Sequence, residues 1–144
     1  MNDDTKTNKI FYEKRGYKNI HFTGFVSDTE RDWLFTKAKA YVFPSLMEGF
    51  GLPPLEAMAY GTPVVSSNAS CMPEILGDAA EYFDPLAPSD TAQAIDRVLT
   101  DSTLRQSMIK KGHQQVKKYS WRRMAEQTHA IYMKALRQSR DEVR

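Results

Sequence analysis

The sequence predicts an α/β fold: a parallel sheet of about four strands, helices on both of its faces, and more helices at the C-terminal end. Three observations carry this. Short apolar runs alternate with helical patterns as far as residue 100, the order that builds a parallel sheet with crossover helices. The run AYVFPS (40–45) is apolar at successive positions, as a strand buried on both faces would be. After residue 100 only helical patterns follow.

The elements are read in chain order. Residues 1–18 are a polar, lysine-rich lead-in whose main apolar points are Phe11 and Tyr12. NIHFTGF (19–25) reads as a short strand ending near Gly24. Ser27 or Asp28 caps a helix to about Lys39, with Trp33, Leu34 and Ala38 on one face. Strand 40–45 is closed by Pro44 and followed by the loop LMEGFG. A helix starts near Pro53 and Pro54, where proline is tolerated, and stops at Gly61. PVVSS (63–67) is a strand, MPEILG (72–77) a short helix and AEYFDP (80–85) another strand. Ser89 or Asp90 caps a helix to about Leu99, and Asp101 or Ser102 caps the next, to about Tyr119. Ser120 caps the last, with Trp121, Met124, Ala125, Thr128, Ile131 and Tyr132 as its buried stripe, and 137–144 is a charged tail. A complete doubly wound sheet has about six strands, so strands on the N-terminal side are expected to be missing.

Composition narrows the function classes. With 41% hydrophobic and 26% charged residues, the chain reads as one globular domain. No apolar run approaches the roughly 18 residues of a membrane span, and MNDDTKTNK lacks the apolar core of a signal peptide. The lone Cys71 excludes an intramolecular disulfide and fits a reducing cytoplasm. His21, His113 and His129 have no metal-ligand spacing. Charge is uneven: residues 1–100 hold nine Lys/Arg against fourteen Asp/Glu, and residues 101–144 hold eleven against four. The basic helices read as a solvated face, with peripheral contact to an anionic membrane surface as the alternative. No nucleic-acid-binding pattern accompanies the charge.

The informative place is the junction of strand 40–45 with the helix after it. In open parallel sheets, ligands bind beyond the C-terminal ends of the strands, and helix N-termini there offer N–H groups to anions. Gly49 and Gly51 let the backbone of Glu48-Gly49-Phe50-Gly51-Leu52 approach a ligand. A diphosphate suits that loop. Glu48 and Glu56, eight residues apart, would repel phosphate, so they should face hydroxyl donors, as a sugar and a ribose diol provide. A nucleoside-diphosphate sugar fits the order acid, glycine loop, helix start, acid. Spacing by itself leaves surface charge beside a turn as an equal alternative. A glycosidase acid pair is the third reading, disfavoured because Glu56 would sit a turn or more into a helix.

PSLMEGFGLPPLEAMAYGTPVVSS (44–67) closely resembles the signature of the family 4, or group 1, retaining glycosyltransferases of the GT-B fold. Glu48 and Glu56 match that family's E-x7-E motif. IHFTGFVSDTERDWLFTKAKAYVFPS, CMPEILGDAAEYFDP and the C-terminal helices are similar to its neighbouring segments, so the likeness covers about residues 19–136. It implies the second half of a Rossmann-like C-terminal donor domain. By resemblance, Glu48 bonds donor-sugar hydroxyls and is the catalytic-site acid. Phe50, Gly51 and Leu52, with Gly49, give backbone contacts to sugar and diphosphate, and Glu56 bonds the ribose. Gly24, Phe25 and Val26 lie against the base.

The implied reaction is retaining hexosyl transfer from a nucleotide sugar, GDP-mannose by analogy with common relatives, to a glycan or lipid-linked acceptor. No cofactor or metal is implied, and no Asp-x-Asp motif is present. The family's N-terminal Rossmann domain and its early Arg/Lys diphosphate clamp have no match before residue 19; Lys14, Arg15 and Lys18 are basic in a different context. The chain alone is therefore expected to be inactive, to self-associate or to need that missing domain. The alternative is a non-catalytic nucleotide-sugar-binding fragment or subunit. Trp33 and Trp121 are read as core residues rather than sugar platforms, Cys71 as a small packed residue, His113 and His129 as exposed, and His21 as packed.

Overall fold

A computed structural model of the protein describes residues 11–12 and 15–142, with side chains to residue 138. Most of the expected lead-in, residues 1–10 and 13–14, lies outside the described residues, as do residues 143–144 of the tail. The chain divides into two compact units, residues 1–34 and 35–144. In the first, the Tyr12 ring lies 5.7 Å from that of Tyr17 and 6.0 Å from that of Phe22. Residues 19–25 make no strand. An apolar run needs ladder partners to become one, and these residues have none among the described chain.

Helix α1 (Asp28–Lys37) opens with a reciprocal cap. The Glu30 amide donates to Ser27 Oγ at 3.3 Å, and the Ser27 amide donates to Glu30 Oε2 at 2.8 Å. These bonds to Ser27 hold the Glu30 carboxyl below the usual carboxylate range. Phe35 is the buried residue of this helix, while Trp33 and Leu34 are exposed, contrary to the expected face. Periodicity marks a face without naming what covers it, and nothing in the described residues covers this one.

The second unit holds the sheet. Strands β1 (Tyr41–Phe43), β2 (Val64–Ser67) and β3 (Ala80–Phe83) are parallel and lie in sequence order. Helices α2 (Leu52–Ala59) and α3 (Met72–Leu76) make the two crossovers, α3 being extended by a 3₁₀ turn at Gly77–Ala79. Among the described residues, three strands are thus found where about four were expected. In register, Phe43 pairs Ser66 and Ser66 pairs Tyr82, so the loops leaving β1 and β2 start side by side. All of β2 is buried, Ser66 and Ser67 included, because it is the central strand of the three. β1 is only half-buried, contrary to the burial on both faces expected of AYVFPS, because it is the edge of this sheet.

Successive residues of β2 feed two cores. Val64 packs with Leu55, Met58, Met72 and Leu76. Val65 packs on the other face with Phe83, Ala94, Val98 and Met108. Helices α4 (Pro88–Thr100) and α5 (Ser102–Val116) complete the layers. Asp101 caps α5, accepting from the amides of Thr103 and Leu104 at 2.8 and 2.9 Å. Asp90 caps nothing: α4 begins at Pro88, and Asp90 accepts instead from the Asp84 amide at 2.7 Å. Helix α2 ends in a Schellman turn. Gly61, at φ 78°, donates to Met58 O, and Thr62 donates to Ala57 O.

The last helix, α6 (Trp121–Glu142), is where the sequence reading departs most from the structure. Trp121, Met124, Ile131 and Tyr132, expected to be buried, are all exposed, Trp121 by 71%. The helical repeat is real, but the described chain offers its apolar stripe no partner.

Helix α5 crosses α2 at a glycine. A Cβ added at Gly112 would lie 3.2 Å from Met58 Cγ, and both residues are buried. Gly112→Val should therefore lower the unfolding free energy by about 1–3 kcal/mol, the usual cost of overpacking. Urea titration followed by circular dichroism checks it; an unchanged midpoint would mean the helices separate freely.

Candidate functional site

The candidate site is built from the two loops that leave β1 and β2. Pro44 cannot continue the β1 ladder, and the chain turns out through residues 45–51. It re-enters regular structure at Gly51, the N-cap of α2, which has φ 94° and ψ 49°. Only glycine adopts such a conformation without strain. A Cβ there would also lie 2.4 Å from Cε of the buried Met72. Gly49 differs. It is not at positive φ, and an added Cβ would meet nothing within 4 Å. The fold supplies no reason for glycine at 49, and the open space beside it does leave a bare stretch of backbone facing outward.

Pro53 and Pro54 lack N–H groups, so the amides that open α2 are those of Gly51 and Leu52, preceded by Phe50. Gly51 has no side chain to cap them. They form a short run of donors at a helix start, suited to an anion.

Glu48 is half-buried and held from several sides. Ser45 Oγ donates to Glu48 Oε1 at 2.8 Å. Ser45 is itself fixed by Ser67 of β2, whose Oγ donates to Ser45 O at 2.5 Å. Across the loops, the Glu48 amide donates to Ser70 Oγ at 3.2 Å, and Ser70 Oγ donates to Glu48 O at 3.0 Å. Cys71 Sγ lies 3.4 Å from the same carbonyl. Glu56 is exposed on α2.

Both carboxylates act on one reporter. Burial pushes the Tyr41 phenol above its ordinary pKa, and the negative charges of Glu56 and Glu48 push it further in the same direction. Glu48 and Glu56 thus both act on Tyr41, the first residue of β1.

The loops rest on α3 and the turn after α5. The Phe50 ring meets that of Tyr119 edge-on, with centroids 5.3 Å apart. Tyr119 Oη donates to Ile75 O at 2.9 Å, and Gln115 Nε2 donates to the same carbonyl at 2.6 Å. Tyr82 Oη donates to Gly77 O at 2.7 Å; burial, then the charge of Asp78, raises its pKa to about 12. The orphan carbonyls at the end of α3 are in this way satisfied by side chains from two other elements.

The structure gathers Glu48, Gly49, Phe50, Gly51, Leu52 and Glu56 into one loop and helix start. Phe25 and Val26 belong to the first unit, where Phe25 is 97% exposed and follows Gly24 at φ 65°. Trp33 and Trp121 are exposed rather than core. His113 and His129 are exposed as read, and His21, expected to be packed, is exposed too. Cys71 is half-buried. Ser45, Ser67 and Ser70 escaped the sequence reading, because a serine's partner across two loops leaves no local pattern. Among the described residues no His, Cys, Asp and Glu cluster could hold a metal ion, and no helix is long and apolar enough to cross a membrane.

Residues 2–115 match the family described as "Glycosyl transferases group 1". The chain belongs to that family. It is 39% identical over 113 residues to an O-antigen chain mannosyltransferase B from Escherichia coli, covering 78% of this chain and 30% of the relative. It is 34% identical over 134 residues to an MMP alpha-(1->4)-mannosyltransferase from Mycolicibacterium hassiacum, covering 90% and 33%. Among solved structures, a sucrose-phosphate synthase from Thermosynechococcus elongatus superimposes with a TM-score of 0.79 at 25% identity, over 91% of this chain and 34% of that one. The C-terminal domain of a glycosyl transferase group 1 family protein from Francisella tularensis gives 0.66 at 32% identity, over 81% and 62%. The fold is that of a GT-B C-terminal domain, in part. The chain spans about a third of the length of the curated relatives named here.

Two measurements test the site's construction. Gly51→Ala should cost about 1–3 kcal/mol of stability, from backbone strain alone, whereas Gly49→Ala should stay within about 0.5 kcal/mol of the wild type. Thermal unfolding of the pair decides it; equal losses would show that the two glycines are not distinguished by the fold. Replacing Glu48 and Glu56 together by glutamine removes two negative charges, so the Tyr41 phenol should titrate at lower pH while staying above its ordinary value through burial. Tyrosine ring signals followed by NMR over alkaline pH report this, and an unmoved titration would separate the carboxylates from Tyr41.

Proposed function

We propose that this chain is the donor-binding part of a retaining hexosyltransferase that uses a nucleoside-diphosphate sugar. The observation that carries the reading is the loop at the end of β1. It joins a fixed carboxylate at Glu48, an open backbone at Gly49 and the helix-start amides of Phe50, Gly51 and Leu52 to a second carboxylate, Glu56, on the helix that follows.

The roles follow from charge. The amides and the helix start favour the diphosphate. The two carboxylates disfavour phosphate and accept hydroxyl hydrogen bonds, Glu48 from the sugar and Glu56 from the ribose. As the glycosidic bond to the diphosphate breaks, the sugar ring gains positive charge, and a fixed anion at Glu48 stabilises that state more than the ground state. The sugar then passes to a glycan or lipid-linked acceptor with its anomeric configuration kept. No cofactor or metal takes part in this reading. Two of the relatives are named mannosyltransferases, which supports GDP-mannose as the donor.

An acceptor-side N-terminal GT-B domain completes the enzyme, and this chain alone binds donor without transferring it, because positioning the second substrate contributes about 7–11 kcal/mol to catalysis. The exposed stripe of α6 and the half-open edge of β1 favour the related reading of a subunit that works only with a partner chain or self-associates. Mixing the chain with an acceptor-side half and assaying transfer separates an enzyme part from a simple binding module. The location proposed is the cytoplasm, with the basic C-terminal helices against the inner face of the membrane; co-sedimentation with anionic vesicles tests that contact.

The two glutamates give distinct signatures in the assembled transferase. Glu56→Ala should weaken donor binding by about 1.5–3 kcal/mol, one charge-assisted hydrogen bond, with little change in turnover. Glu48→Gln should lower kcat far more than it raises the donor KM. Steady-state kinetics with calorimetric titration of the nucleotide resolves both. Unchanged affinity in the first variant, or unchanged kcat in the second, would remove that residue from its role.

A further inference from the structure

We propose that Ser70 is a positioning residue for Glu48, and that with Cys71 and Met72 it forms a platform that keeps the donor loop in its binding shape. The inference rests on the donor-binding reading above and adds a residue to it.

Ser70 is the one non-glycine residue at positive φ among the described residues, at 55°. A residue with a Cβ is held there only when its surroundings over-determine it. By local preference glycine would occupy that conformation. What serine has and glycine lacks is the hydroxyl, and that hydroxyl is fully engaged with one residue. It accepts from the Glu48 amide at 3.2 Å and donates to the Glu48 carbonyl at 3.0 Å. Bonding both polar groups of Glu48 fixes the peptide planes on either side of it, and with them the direction of its side chain. Cys71 Sγ adds a weaker contact to the same carbonyl at 3.4 Å.

The other end of the loop is fixed by the next residue along. Met72 Cε occupies the space a Cβ of Gly51 would need. Ser70 and Cys71 therefore hold the loop after β1 at Glu48, Met72 packs beside Gly51, and Gly49 and Phe50 lie between. Ser45, held by Ser67, supports the Glu48 carboxylate from the strand side. A carboxylate and a row of amides arranged before the ligand arrives need less ordering on binding.

The distinguishing variant is Ser70→Gly. Glycine accepts the backbone conformation, so folding should be kept or improved, and only the clasp is lost. In the 144-residue chain, amide exchange at Glu48, Gly49 and Gly51 should rise while amides of β2 stay protected. Affinity for GDP-mannose, read by NMR titration with UDP-glucose as a second probe, should fall roughly two- to tenfold, the worth of an ordinary hydrogen bond. Ser70→Ala loses the same hydroxyl but keeps the strain, so it should lose both affinity and melting temperature. In a Glu48→Gln background the Ser70→Gly loss should shrink, because the two residues act as a unit. Full affinity and unchanged loop exchange in Ser70→Gly would overturn the proposal, as would equal losses in the wild-type and Glu48→Gln backgrounds. If the wild-type chain binds neither probe, the donor-binding reading itself fails, and the positioning role falls with it; the wild-type titration alone tells the two failures apart.

Discussion

Everything distinctive about this site depends on one constraint: the loop leaving β1 is clasped by the segment leaving β2. The bonds run from Ser67 to Ser45, from Ser45 to Glu48, and between Ser70 and both polar backbone groups of Glu48. A loop of this kind would ordinarily be satisfied by water and free to rearrange. Here the Ser45 carbonyl and both backbone polar groups of Glu48 are bonded to side chains of the neighbouring segment. The parallel register makes this possible, since it brings the C-terminal ends of β1 and β2 together. In an antiparallel pair the two exits would lie at opposite ends of the ladder.

The rest of the second unit serves to keep the platform still. Helix α3 presents Met72 at its start and has its final carbonyls taken by Gln115, Tyr119 and Tyr82. Helix α5, which supplies Gln115, is in turn seated on α2 through the glycine at 112 and is capped by Asp101. Helices α2 and α3 both bury apolar residues in the core that contains Val64. The loop is thus carried on rigid elements at both ends, the arrangement that binding of a polar, many-armed ligand favours.

The same architecture accounts for how two acids and the helix start proposed to bind an anion coexist. Glu48 is tied by Ser45 and lies in a half-buried position, and Glu56 sits on the exposed surface of α2. Both affect Tyr41 at the sheet edge. The amides of Phe50, Gly51 and Leu52 lie between them in sequence, with Pro53 and Pro54 ending the row. The proposed ligand, with hydroxyls, then phosphates, then hydroxyls, matches that alternation.

Much of this was decided by sequence alone. The run PVVSS marked a strand, and Gly61 and Asp101 marked helix ends by local backbone chemistry. Glu48 and Glu56, eight residues apart around a glycine pair, marked the candidate site. These are short-range signals, set by conformational preference and spacing within a few residues. Tertiary structure decided the rest. Whether Trp121 and Ile131 are buried depends on what lies against α6, and the repeat in the sequence is the same either way. Why position 70 is serine depends on Glu48, about twenty residues distant in the chain. Contacts of that reach are set by strand register and helix packing, and no local pattern in the sequence encodes them.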